Sequence, residues 1–147
     1  MDIRIAKTDA EIEACFPVLK ELRPDIHKDD FIRKIRNLQK SGYVLAYIEV
    51  AGMPVAAAGF RLGESLAWKR YIYVDDLVTL QAERSKGYGA ALMTWLTDYA
   101  LREGCEQLHL DSGVQRKDAH RFYEREGMKL PSYHFAKYVA SDAAHEK

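Results

Sequence analysis

Between positions 81 and 90 the chain reads Gln81-Ala-Glu-Arg84-Ser85-Lys86-Gly87-Tyr88-Gly89-Ala90, which places two cations and two glycines at the entry to a helical pattern. The first turn of a helix carries unpaired N–H groups and a partial positive charge, so it can hold an anion. Gly87 and Gly89 have no Cβ to keep a phosphate away from those groups. Arg84 and Lys86 add charge, and an arginine can pair with two oxygens at once. Alone, such a segment reads first as a surface turn before an ordinary helix. Other phosphate motifs fit poorly. A nucleotide P-loop needs GxxxxGK[ST], yet neither Lys-Ser nor Lys-Thr follows a glycine here, and a Rossmann fingerprint needs glycine where position 92 is Leu.

Asp75 and Asp76 interrupt an otherwise apolar and aromatic run. Carboxylates in a strand covered on both faces need a cleft or a partner. Strand alternation sends the two to opposite faces, so only one of them can line a given cleft. Either can take a proton from a substrate or pair structurally with an arginine. Phe122 and Tyr123 read as core aromatics, with the Tyr123 phenol also able to give a proton. His109 fits a sheet position and His120 a helix surface. His27, His134 and His145 form no ligand-spaced cluster with cysteines, so no metal site is expected. Cys15 and Cys105 lie far apart without a CxxC pattern, as free buried thiols of a reducing cytoplasm do.

The elements that must position these residues follow from periodicity. Ile3 and Ile5 alternate with polar neighbours as a short strand. Thr8-Asp-Ala-Glu11 is a capping-box pattern, and Ile12, Phe16, Leu19 and Leu22 recur at helical spacing up to Pro24. A second helix is expected from about Asp29 to Lys40, stopped by Gly42. Tyr43–Val50 and Met53–Leu62 form a hairpin around Ala51-Gly52, and Trp68–Thr79 a long strand. Gly89–Arg102 is helical, Gln107–Asp111 a strand, Ala119–Glu126 a short helix and Tyr133–Val139 a last strand. Antiparallel hairpins and one strand–helix–strand crossover together make an α+β domain with a mixed sheet.

The length, 147 residues, suits one domain with its own core. Basic and acidic side chains balance at 22 each, which removes the whole-chain electrostatic case for nucleic-acid binding. No apolar run reaches the ~20 residues needed to cross a bilayer, so no membrane partner is expected. Met1–Lys7 does not read as a signal peptide.

Arg84, Gly87 and Gly89 match [QR]-x-x-G-x-[GA], the acyl-CoA pyrophosphate loop of the GCN5-related N-acetyltransferase (GNAT) superfamily, which this chain resembles. Asp76–Thr79 lies where that superfamily places a bulged fourth strand, and Ala119–Met128 resembles its A-x-x-x-Y-x-x-x-G-F block. The order of elements matches end to end, and the closest likeness is to small bacterial acetyltransferases. Arg116 stands where the family often has Asn, and Met128 where it often has Phe; methionine there conserves volume.

The resemblance implies a GNAT-like mixed central β-sheet flanked by helices, as a single domain over residues 1–140 with a polar, frayed tail at 141–147. It implies acetyl-CoA (coenzyme A) as donor. The backbone of Leu77, Val78 and Thr79 would run beside the pantetheine, with a bulge exposing a carbonyl-polarising N–H. Arg84, Ser85, Lys86, Gly87, Tyr88, Gly89 and Ala90 would hold the pyrophosphate. Tyr123 is the implied acid, with Asp75 the first and Asp76 the second candidate base. The acceptor would be a primary amine, small molecule or peptide, attacking directly without a covalent enzyme intermediate. Asp75, Asp76 and Asp111 favour a cationic one. Tyrosines such as Tyr71, Tyr73, Tyr133 and Tyr138 are candidates to line its pocket. Members commonly pair as homodimers, though no residue here marks an interface. The alternatives are a non-catalytic acyl-CoA-binding module of the same fold and a nucleotide-binding domain of another class.

Overall fold

The computed structural model describes residues 2–140. The polar tail, with His145, lies outside the described residues. The chain divides into two compact units, residues 1–110 and 111–147.

The first unit is built on a five-stranded sheet ordered β1-β2-β3-β4-β5. Its strands are β1 (Ile3–Ile5), β2 (Tyr43–Val50), β3 (Met53–Ser65), β4 (Lys69–Thr79) and β5 (Gln107–Leu110). The first four pair antiparallel and β4 pairs parallel with β5, so the sheet is mixed. The helix expected to run from the capping box to Leu22 is two helices, α1 (Asp9–Ala14) and α2 (Phe16–Leu22), meeting at Cys15. Pro17 explains the break, because it has no N–H to continue the ladder and suits the first turn of a new helix. The capping box forms as the sequence predicts: Thr8 Oγ1 accepts from Glu11 N–H, and Glu11 accepts from Thr8 N–H. α3 spans Lys28–Gln39 and Gly42 follows it at φ 96°.

Cross-strand register assigns the two faces of the sheet. Tyr43, Leu45 and Tyr47 share a face with Ala57 and Val78, and these pack with Ile12, Val18, Leu19, Phe31 and Ile35 of α1–α3. The other face carries Ala46, Ile48, Ala58, Phe60, Ile72 and Val74, all buried. Helix α4 (Tyr88–Arg102) packs there, with Trp95 and Tyr99 edge-on to Phe60 and Leu92 and Leu96 fully buried. Alternating buried positions on both faces are what a sheet between two helical layers requires.

In the second unit α5 spans Lys117–Arg125 and ends before Gly127 at φ 89°. Tyr133–Val139 is not a strand. Its Tyr133, Phe135 and Val139 side chains are exposed and no ladder partner engages the segment among the described residues. Aromatic and β-branched residues favour strands by packing on a pleated, half-buried surface, so the pattern alone does not make one.

Candidate active site

β4 changes character halfway along. Tyr73 pairs with Arg61 and Val74 with Phe60, but the next partner, Gly59, lies opposite Asp76. Asp75 is the extra residue of a β-bulge. The bulge overturns the expectation that the two aspartates face opposite sides. Asp76 lies on the face of Gly59 and Tyr43, and Asp75 pairs with Arg61 on that same face. Both carboxylates are brought together on the side covered by α1–α3.

Each is engaged. Arg61 grips Asp75 in a fork, Nε to Oδ2 at 2.7 Å and Nη2 to Oδ1 at 2.9 Å. Asp76 Oδ1 accepts from Arg23 Nε at 2.9 Å, and Oδ2 from the Tyr43 hydroxyl at 2.8 Å. Arg23 Nη2 also donates to the Asp75 carbonyl at 2.8 Å. Burial pushes the Tyr43 phenol well above its usual range, and the neighbouring Asp76 charge adds to it, so Tyr43 stays protonated and donates. Tyr43 reaches Asp76 only because residue 59 is glycine: a Cβ there would stand 1.7 Å from the Tyr43 hydroxyl oxygen. A glycine inside a strand is a signal for a bulge or close approach, so Gly59 was legible. Arg23, Tyr43 and Arg61 carried no local signal, since their partners lie far along the chain.

Beyond the bulge β4 is half open. β5 accompanies it only from Tyr71 to Val74, and from Asp76 to Thr79 it pairs, among the described residues, with β3 alone. Leu80 N–H bonds Val55 O at 2.9 Å. Antiparallel alternation therefore turns Val78 toward β3 and directs the N–H and C=O groups of Leu77 and Thr79 to the free edge. A short 3₁₀ turn (Gln81–Glu83) then leads to Arg84, Ser85 and Lys86, all exposed. Lys86 Nζ is tied back to Glu83 Oε1 at 3.0 Å. Ser85 holds a left-handed φ of 65°, a conformation that costs a non-glycine residue roughly 1–2 kcal/mol.

Gly87, at φ 87°, is the N-cap of α4 and offers no capping side chain. The first helical bond, Ala91 N–H to Gly87 O, leaves the N–H groups of Tyr88, Gly89 and Ala90 without intrahelical partners. Nothing lies within 4 Å of where a Gly87 Cβ would be. The outward groups of Leu77 and Thr79 and, beyond the turn, the open N–H groups of Tyr88, Gly89 and Ala90 thus form a track suited to an amide-bearing arm ending in a diphosphate.

Tyr123 lies on α5 in the second unit, its ring edge-on to Phe122. Burial pushes its phenol up, and the guanidinium of Arg116, the N-cap of α5, pulls it back. His109 stacks on Trp68 with ring centroids 3.5 Å apart, and its Nε2 meets Gln107 Oε1 at 2.7 Å. His120 Nε2 is 2.8 Å from the Gly113 carbonyl. Among the described residues no group of three or more His, Cys, Asp or Glu is placed to hold a metal ion, and both cysteines are free and buried.

The sequence model of the acetyltransferase (GNAT) family matches residues 7–128, running across the boundary between the two units. An uncharacterized N-acetyltransferase of Bacillus subtilis (strain 168), YhdJ, is 34% identical over 126 residues, covering 84% of this chain and 89% of its own. Among solved structures, a ribosomal-protein-alanine N-acetyltransferase from Brucella melitensis biovar Abortus 2308 superposes with a TM-score of 0.80 at 19% identity, covering 95% of this chain and 100% of that one. AAC(6')-Iy, in complex with the bisubstrate analogue CoA-S-monomethyl-acetylneamine, superposes with a TM-score of 0.81 at 14% identity, covering 95% and 97%. This chain belongs to the acetyltransferase (GNAT) family and is an N-acetyltransferase.

Proposed function

We propose that the protein transfers an acetyl group from acetyl-CoA to a primary amine by direct attack. The observation that carries this is the track itself, a bulged strand with one free edge leading through one short turn to an uncapped helix N-terminus. The AAC(6')-Iy neighbour, solved with a CoA-containing analogue, supports the same reading. Acetyl-CoA supplies a thioester carbonyl already activated for attack by an amine.

The chain's own groups then have separable tasks. Leu77 and Thr79 present free-edge donors and acceptors to the pantetheine amides, as a strand does to its neighbour. The N–H groups of Tyr88, Gly89 and Ala90 face the diphosphate, with Arg84 and Lys86 adding charge. A backbone N–H at the bulge polarises the carbonyl and stabilises the charge that develops on its oxygen. Asp75 is the more accessible aspartate, 29% exposed against 15% for Asp76. Its fork to Arg61 uses two of about four lone-pair sites on the carboxylate, so it can still accept the amine's proton, directly or through water. Tyr123 keeps its proton at neutral pH and gives it to the departing thiolate. No cysteine is required, since both are buried. Burial pushes the Cys15 thiol up to about 12, far from a nucleophile's range.

The test is acetyl-CoA-dependent thiol release across a panel of polyamines, amino acids, aminoglycosides and peptides bearing lysine or a free N-terminus. At least one amine should give saturable turnover with a matching acetylated product. Acetyl-CoA binding with no turnover across the panel overturns the reading. Tyr123→Phe should lower kcat by roughly 10²-fold or more while leaving the calorimetric affinity for CoA unchanged.

A further inference from the structure

The last turn of α2 reaches across to the open half of β4 at both of its ends. At the far end Glu21 Oε1 accepts from Gln81 N–H at 2.8 Å, just beyond the strand. At the near end Arg23, which closes α2, holds the bulge through the Asp76 carboxylate and the Asp75 carbonyl. These contacts bracket Leu77, Val78 and Thr79, the stretch that has β3 on one side and, among the described residues, no strand on the other. α2 itself is anchored independently, with Val18 and Leu19 buried in the core. Lys20 Nζ fixes the chain after the helix by donating to the Ile26 carbonyl at 2.8 Å.

A half-strand bonded on one side only is free to shift its ladder or lose its bulge. The contacts from Glu21 and Arg23 are charge-assisted and aimed largely at backbone atoms. Arg23 is 52% exposed, and exposed ion pairs add little to global stability. Their effect is local, on the register and position of the segment they span.

We propose that Glu21 and Arg23 are positioning residues, making α2 a two-point brace that holds the free edge of β4 in register for the acyl donor. This rests on the donor-binding reading above. Arg23 sets the bulge, where the acetyl carbonyl is polarised, and Glu21 sets the entry to the diphosphate turn. Loss of each should therefore show in a different parameter.

The experiment compares Glu21→Ala, Glu21→Gln, Arg23→Ala and Arg23→Lys with the full chain. The readouts are amide exchange in the ligand-free protein, calorimetric CoA affinity, kcat and KM for acetyl-CoA, and thermal midpoint. Both alanine variants should speed exchange at Val78 and Leu80 while β2 exchanges as before and the midpoint barely moves. Glu21→Ala should weaken CoA binding by about tenfold, the effect of one lost charge-assisted bond. Glu21→Gln should restore it, because the amide oxygen still accepts. Arg23→Ala should act on kcat more than on KM, and Arg23→Lys should rescue it only in part, since an ammonium lacks the two-pronged fork. Wild-type exchange and affinity in both alanine variants overturn the brace. So does faster exchange spread over β2 with a matching fall in midpoint, which marks a merely structural role. A wild-type chain that does not bind CoA removes the donor reading, and the exchange measurement still decides the brace.

Discussion

Gly59 and Tyr43 show how one missing side chain sets the position of two charged ones. The Tyr43 ring lies in the space a Cβ at 59 would fill, and from there its hydroxyl reaches Asp76. Gly59→Ala should destabilise the protein by about 1–3 kcal/mol, the usual cost of overpacking a buried site, measured by urea unfolding. An unchanged unfolding midpoint would mean that Tyr43 has a second position available. Tyr123 leads to a pH prediction. Burial raises its folded value above 10.0, so in the proposed role the proton-giving form persists above that pH and kcat should fall as pH rises through the raised value. The alkaline limb of kcat should lie above 10 and vanish in Tyr123→Phe. At this scale the sequence marked the aspartates as out of place in their strand. It did not mark what answers them, because Arg23 stands 53 residues from Asp76 and only folding brings them together.

Among the elements, those with a local cause were legible and those with a long-range cause were not. The capping box before α1, the hairpin around Ala51-Gly52 and the glycine stop at 42 all appear as the residue types predict. The split at Cys15 was also local, written in Pro17, whose effect apolar periodicity obscures. The bulge in β4 and the early end of β5 are properties of pairs of strands, and no single segment encodes them. The capping box carries its own test. The Glu11 carboxyl is held below its ordinary range, chiefly by the backbone N–H groups of Thr8 and Lys7. A folded value below the unfolded one means the contribution is complete above the unfolded value and is lost as pH falls through the folded one. Glu11→Gln should therefore flatten the acid side of the stability–pH curve, followed by thermal midpoint. Thr8→Ala should cost about 1 kcal/mol at neutral pH.

Over the whole molecule, 22 basic and 22 acidic side chains leave no net charge at pH 7. Colloidal repulsion is then at its weakest, and precipitation titrations should find a solubility minimum near neutrality that deepens on neither side. Among the described residues no helix is long and apolar enough to cross a membrane. The fold class was readable from the order of elements, while the expected final strand at Tyr133–Val139 was not realised. The half of β4 that is paired on one side only has a further consequence. Vacant ladder positions on a strand edge are a template for any extended chain, including another copy of this one. A bound donor would occupy the positions that an aggregating neighbour needs, and so act as a plug against misassembly as well as a reactant. CoA at saturating concentration should slow light-scattering growth on gentle heating by more than its effect on the thermal midpoint accounts for, and Leu77→Pro, which removes one free-edge donor, should slow it without any ligand.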